Sequence, residues 1–505
     1  MKKHQVIYGT VILLLAASVL VPLGYLLVQT FPDIRAGNVS GIYFLEILPV
    51  GILLAAAAAL LSLLTGSLLA FSFSVRPAGW IWVLMIWPLL MPAYFWATAW
   101  EDVFHQIILP HLSVSPYLRY VLEMGLIYTP LVFLLTVTGL RSLNTSWVES
   151  ALTISSPSRV RYRIVIPLLR PVLGIGFVLV FLFVLHDMTV ATLLGIKTPG
   201  TEILIRFSAF YDHRMAVLQS LVLLSLTWLV IGPHLRRITG RLLHSASSNR
   251  HPTPAYHQAS PWFIYIWLVF GVGIPLAILV YESFRYGWKG PAEAWSLLKP
   301  VWLPGILMAL VTAWLTAMIG FLTALYNRWY KTRTNWTAVL FFILFTIPPV
   351  TLGLALMLFY NRPGWDFFYE SSALLILAIT VRYAFIGYGL AWHALSRYAA
   401  SMWDAIRLYQ THIRDTWRYM ILPLLTRDFL VTMAVVFILS LGEVTLAFMI
   451  YPPGMDLISL KIFTLSANSP SYLVASMNLL SMLLMLIPAY LLWLMAAFLS
   501  QKTKS

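Results

Sequence analysis

"RYRIVIPLLRP" (residues 161–171) and "WRYMILPLLTR" (residues 417–427) are the stretches that decide the fold of this 505-residue chain. Each runs from arginines and aromatics into an aliphatic core closed by proline, and Pro167 and Pro423 stand 256 residues apart. Each phrase ends a polar stretch in an otherwise apolar sequence. A phrase repeated at half the chain length points to an internal duplication, so the surroundings of the two copies should match as well.

The composition sets the solvent. The chain is 60% hydrophobic and only 10% charged, against about 25% charged for a soluble domain. The apolar residues are grouped in runs of about 20, the length a helix needs to cross a bilayer. Barrel strands would instead alternate over about 10 residues. The expected fold is an all-α integral membrane protein. With no cysteine, disulfides, thiol nucleophiles and Cys-ligated metals are excluded. The net charge of +15 is read as cytoplasmic loop charge that sets orientation. Nucleic-acid binding is not expected, because no basic patch is interleaved with a soluble fold.

Twelve spans are expected, near 7–28, 47–73, 79–99, 119–140, 172–194 and 215–235, then 262–282, 302–326, 336–360, 371–395, 428–450 and 472–498. The first, "MKKHQVIYGTVILLLAASVL", has a signal-like start, but its apolar run continues to about Val28 and is read as an uncleaved span. The segment 236–261 is polar, basic and rich in Ser, Pro and His, and reads as a flexible cytoplasmic linker. The chain thus divides into a first half at 1–235, with its core at 45–235, and a second at 262–505, with its core at 300–498. With both termini cytoplasmic, 22 of the 33 Lys and Arg fall in cytoplasmic segments, 10 outside and one, Arg382, within a span. Six spans per half is an even number, so the two halves have parallel topology about an axis along the membrane normal.

Each proline phrase ends the longest cytoplasmic loop of its half, between the fourth and fifth spans. In "WDAIRLYQTHIRDTWRYMILPLL" (403–425), Ile406, Tyr409, Ile413 and Trp417 are spaced as one helix face, with most charges off that line. The first loop, "VESALTISSPSRVRYRIVIPLLRP" (148–171), is similar but interrupted by Pro157. Either loop alone reads equally as a surface helix lying on lipid headgroups. Two related loops at matching places read as docking surfaces for a twofold-symmetric partner.

These loops resemble those of permease subunits of type I ABC importers, whose pattern is Glu-Ala-Ala, a Gly four residues on, then Ile-x-Leu-Pro. Glu149, Ala151 and Pro167 fit the first copy; Ser150 replaces an Ala, Ser155 stands at the Gly, and the loop is one residue short. In the second copy Asp404 replaces Glu, Ala405 fits, Gln410 replaces Gly, and Leu422 and Pro423 fit. The resemblance implies a coupling helix in each loop, seated in a groove of an ATPase subunit. Two such units in one chain resemble the fused branch that imports ferric iron, which has a thiamine-transporting relative. "LSLGEVTLAFMIYPPGMDLISLKIF" (439–463) matches that branch at Glu443, Thr445, Pro452, Pro453 and Gly454, and "ITVRYAFIGYGL" (379–390) at Arg382 and Tyr383. The resemblance covers roughly 45–235 and 300–498.

Asp187 lies 20 residues after Pro167, and Glu443 lies 20 after Pro423. The duplication therefore puts one carboxylate at the same place in each fifth-type span. A charge at mid-bilayer costs about 3 kcal/mol on insertion scales and is usually functional or paired. Two readings stay open. Asp187 and Glu443 line a translocation path, where with the Tyr383 phenol they suit a hard cation; or Arg382 and Glu443 form a structural ion pair. His186, beside Asp187, is read as a packing residue.

No Gly-x-x-x-x-Gly-Lys-Ser/Thr occurs, so no site in this chain is expected to cradle ATP phosphates. No nucleophile elbow or His-Glu-x-x-His occurs either, and no catalytic role is expected. The resemblance implies two copies of an ABC ATPase carrying ATP-Mg, a periplasmic or lipid-anchored solute-binding protein, and residence in a bacterial inner membrane. Ferric iron is the substrate expected first, with thiamine or a phosphonate as alternatives. The rival architecture is a twelve-span secondary transporter driven by an ion gradient.

Overall fold

The computed structural model describes residues 2–35, 42–72, 79–105, 113–244, 262–329, 336–398, 400–408 and 421–502. All regular structure among these residues is helical. That is what lipid imposes, since a helix satisfies its backbone groups within one segment.

The first half comprises α1 (Lys2–Arg35), α2 (Ile42–Ser72), α3 (Gly79–Leu90), α4 (Ala93–Val103), α5 (Pro116–Arg141), α6 (Thr145–Ile154), α7 (Pro157–Val160), α8 (Ile166–Leu185), α9 (Thr189–Leu193), α10 (Pro199–Ser208) and α11 (His213–Ile231). After α12 (Leu235–His244) the second half comprises α13 (Trp262–Leu268), α14 (Ile274–Phe284), α15 (Lys289–Trp329), α16 (Trp336–Thr346), α17 (Pro349–Tyr360), α18 (Asp366–Tyr369), α19 (Ser372–Ser396), α20 (Ala400–Leu408), α21 (Leu422–Leu441), α22 (Thr445–Ile450), α23 (Ile458–Ser466) and α24 (Ser471–Lys502). Among the described residues, ten helical segments are long and apolar enough to cross a membrane, and twelve if each of two bent pairs counts as one span.

Those bent pairs correct the expected spans at 79–99 and 336–360, which are not straight. α3 and α4 meet at 93°, and α16 and α17 at 91°. The corners are Pro92 and Pro348, both extended, with ψ of 137° and 131°. A proline lacks the N–H that would continue the ladder, and it pushes the residue before it out of the helical region. The fifth-type spans also stop short of the expected 194 and 450. α8 ends at Leu185 and α21 at Leu441, and each chain turns before resuming as α9 or α22. The segment expected as a flexible linker is helical as far as His244, with Ile238 and Thr239 buried; 245–261 lies outside the described residues.

Pro167 does not start a new helix. The chain is helical from Pro157 to Leu185, with a π turn at Arg161–Val165 just before the proline. The wider turn carries an i−5 bond from Ile166 N–H to Arg161 C=O, which takes up the residue that the proline ring would otherwise crowd. Ile421 is in a π turn two residues before Pro423, and another π turn at Val269–Gly273 precedes Pro275.

Two helix pairs carry the core of each half, α2 on α5 and α15 on α19. Both use glycine at the crossing. A Cβ on Gly66 would lie 2.8 Å from the Thr129 carbonyl oxygen, and one on Gly320 would lie 2.4 Å from the Gly387 carbonyl carbon. Small residues let the backbones approach where lipid offers no hydrophobic drive. The halves interlock. α1 packs on α17, where Arg362 lies over the Tyr25 ring, and α13 and α14 pack on α2 and α4. The outer limbs of the bent spans cross over in the same way. Thr351 of α17 donates to the Ser220 carbonyl of α11 at 3.1 Å, and Asn478 of α24 donates to Thr98 of α4 at 2.7 Å.

Candidate functional site

The turns after α8 and α21 place Asp187 and Glu443 in matching positions. The first N–H groups of a helix have no partner within it, and a carboxylate there meets both those donors and the positive end of the helix dipole. Asp187 uses them fully. One oxygen accepts from the Thr189 hydroxyl at 2.8 Å and its N–H at 3.2 Å, and the other from the Ala191 N–H at 3.1 Å. Tyr120 of α5 donates to the Val184 carbonyl at 3.0 Å and approaches Asp187 at 3.4 Å. Glu443 reaches one residue further and accepts from the Leu446 N–H at 3.3 Å. The next helix then docks on the turn in both halves. Thr198 donates to the Asp187 carbonyl at 3.4 Å, and Ser459 to the Glu443 carbonyl at 3.2 Å.

The second half adds a charge. Tyr383 donates to Glu443 Oε2 at 2.8 Å, and Arg382 Nε lies 3.3 Å from the same oxygen. This pair sits beside the first half, with Tyr128 and His186 within electrostatic reach of Arg382. His186 is held by Thr227 at 2.8 Å. An aromatic chain closes the contact between halves, running Tyr128–Phe183–Phe345–Phe385 with ring centres 5.5, 5.7 and 5.8 Å apart. Asp187 and Glu443 do not bond to each other, and the groups they bond to belong to their own halves.

Further membrane charges escaped sequence reasoning, among them Arg119, Glu101 and Glu123. Arg119 of α5 pairs with Glu101 of α4, and one turn further on Glu123 is 1% exposed with neither carboxyl oxygen hydrogen-bonded. The signal was present in "YLRYVLEMG" (117–125), where Glu123 lies inside the fourth span. Among the described residues no group of three or more His, Asp or Glu is arranged to hold a metal ion.

The loop between α5 and α8 is largely described. α6 begins at Asn144, whose side chain accepts from the Ser146 N–H at 3.1 Å. Val148, Ala151 and Val160 face the bundle, while Trp147, Glu149, Ile154 and Tyr162 are exposed. Ser155 is extended, with φ of −144°, so this turn does not need the glycine that the loop pattern would put there. Pro157 then starts α7. In the second loop Trp403 is buried, Asp404 is half-buried, and Ala405 and Leu422 are exposed. Ile406 lies within α20 and Pro423 within α21. Gln410 and the expected face at Tyr409, Ile413 and Trp417 lie outside the described residues.

The bundle is polytopic and helical, with a carboxylate at each of two matching helix breaks, Glu443 buried and Asp187 half-buried, which fits a membrane transport protein. The comparisons agree at that level. A stretch of 212 residues is 23% identical to a candidate 2-aminoethylphosphonate transport system permease protein, PhnV, of Salmonella typhimurium, covering 38% of this chain and 77% of that protein. The PhnV proteins of Salmonella choleraesuis and Salmonella typhi match at the same identity, over 77% and 78% of their lengths. The stretch takes most of the relative but little more than a third of this chain, so the relative is much the shorter protein. No family model matches, and no solved structure matches. The similarity supports a multi-pass transport-system permease.

Proposed function

We propose that this chain is the permease subunit of a binding-protein-dependent ABC importer, with two permease units, 1–235 and 262–505, fused in one polypeptide. A separate ATPase pair drives it from the cytoplasmic side, a solute-binding protein delivers substrate from outside, and the chain resides in the bacterial inner membrane. The observation that carries this reading is the repeated unit itself. In each half a loop with an exposed surface leads, through a proline-marked helix, to a carboxylate at a helix break. On this reading a push on the loop travels along that helix to the carboxylate. ATP must bind the two permease states with different affinity through those loops, or it shifts nothing.

Glu149, Ala151, Ser155 and Pro167, with Asp404, Ala405, Ile406, Gln410, Leu422 and Pro423, form the two coupling loops on this reading. Asp187, Arg382, Tyr383 and Glu443 form the path. Ferric iron is the substrate suggested by the resemblance to the fused branch. The second substrate reading is a phosphonate, favoured by the name the PhnV relatives carry.

The test is transport by the permease co-reconstituted with a candidate ABC ATPase from the same organism. Both Trp147 and Ala405 are exposed, so Trp147→Asp and Ala405→Arg should leave insertion and yield unchanged. Each should cut ATP-driven uptake by about tenfold or more, as expected when a central anchor of a docking interface is lost. Uptake that continues without any ATPase and collapses with an uncoupler would replace this reading by the ion-gradient transporter.

A further inference from the structure

Arg382 holds more hydrogen-bond capacity than its surroundings use. Guanidinium has five N–H donors in a fixed fork and cannot shed its charge. Glu443 faces it through Nε at 3.3 Å, but that carboxylate is already engaged by the Tyr383 hydroxyl and the Leu446 N–H. Nε and Nη1 are both shielded from solvent, and neither makes a hydrogen bond of good geometry; Nε has only the ion pair with Glu443, and Nη1 has none. The neighbours from the first half do not supply an anion, since Tyr128 is a phenol and His186 is tied to Thr227. Leaving buried donors unmade is costly, more so on a charged group.

We propose that Arg382 is the anchor of a substrate site for an anionic oxyacid group, such as a phosphonate, phosphate or carboxylate, at the contact between the two halves. The forked N–H pair of a guanidinium matches two oxygens of such a group. Glu443 then holds the fork in place and competes with the anion for it. A bare trivalent cation meets the opposite arrangement, because the guanidinium repels it and occupies the carboxylate that would bind it. The proposal rests on the importer reading for its role in transport, and on Arg382 alone for binding.

The experiment is equilibrium binding to the full chain in lipid nanodiscs. The probes are 2-aminoethylphosphonate, methylphosphonate, inorganic phosphate and acetate, with terbium as a luminescent trivalent cation. Wild type should bind at least one of the anions, and the strongest identifies the group. Glu443→Gln should tighten that binding, because it frees the fork. Arg382→Gln should weaken it by about tenfold or more, the effect of losing a charged hydrogen bond, while Arg382→Lys should retain part of it. Should Arg382→Gln fail to fold, the double variant Arg382→Gln/Glu443→Gln carries no unpaired charge and should fold yet lose the anion.

The proposal is overturned if wild type binds none of the anions, if the double variant binds them as wild type does, or if terbium binds in a manner that Glu443→Gln abolishes. Arg382-dependent anion binding without ATP-driven uptake would remove the importer reading and leave the site. ATP-driven uptake indifferent to Arg382→Lys and to the double variant would do the reverse.

Discussion

At the scale of single residues, the membrane charges divide by how their charge is met. Asp187 is satisfied by neutral donors from the first turn of α9, Glu443 shares an arginine and a phenol, and Glu123 has no bonded partner for either oxygen. Removing a charge that no hydrogen bond meets should not destabilise. Glu123→Gln is expected to leave the thermal unfolding midpoint unchanged or raise it. Arg119→Met takes the arginine from Glu101, leaving it His105, and should lower stability by about 3 kcal/mol, the order found when one member of a largely buried pair is removed. Unfolding of the two variants in the same detergent compares them directly; a larger loss for Glu123→Gln would mean that its carboxyl is engaged. Asp187, Arg382 and Glu443 were legible as charges inside apolar runs. Glu123 was equally legible, four residues inside the expected fourth span at 119–140, with Arg119 at its edge.

At the scale of elements, the proline corners and the glycine crossings set the bundle. The prolines at 92, 348, 167 and 423 could be read directly, but not their different outcomes. Pro92 and Pro348 turn the chain through a right angle, whereas Pro167 sits in a continuous helix behind a π turn. The choice depends on what packs around each limb, which no local pattern records. Gly320 is the sharper test of packing. Its Cβ position falls on the Gly387 backbone, which cannot move aside as a side-chain end could. Gly320→Ala should therefore force α15 from α19 and cost about 1–3 kcal/mol, in the range of overpacked cores, visible as a lower unfolding midpoint. Gly389 has open space at the same atom, so Gly389→Ala on α19 should show no such loss.

At the scale of the whole molecule, the helices before and after α12 interlock. The bent limb α17 is bonded to α11, and α4 to α24, so each half's right-angled span rests on the sixth-type span of the other. Asn478→Leu should loosen one of these two contacts while leaving the other, because Thr351 and Ser220 are unaffected. Its expected signature is faster hydrogen exchange in α4 and α24 with α11 and α17 unchanged. An equal change in all four helices would mean that the halves move as one body.

The sequence by itself determined the helical, membrane-embedded class, the recurrence of the proline phrase at an offset of 256 residues, and the equal spacing of Asp187 and Glu443 from its two copies. Those follow from composition, periodicity and spacing, which act along the chain and need no knowledge of neighbours. Only the tertiary structure decided that the third span of each half is broken, that α1 lies on the second half, and that the α13–α14 segment lies on the first. It also decided which carboxylate meets Arg382 and which donors of that arginine go unmet. Packing partners and hydrogen-bond acceptors come from segments hundreds of residues away, so the bonding of each membrane charge is settled only when the helices meet.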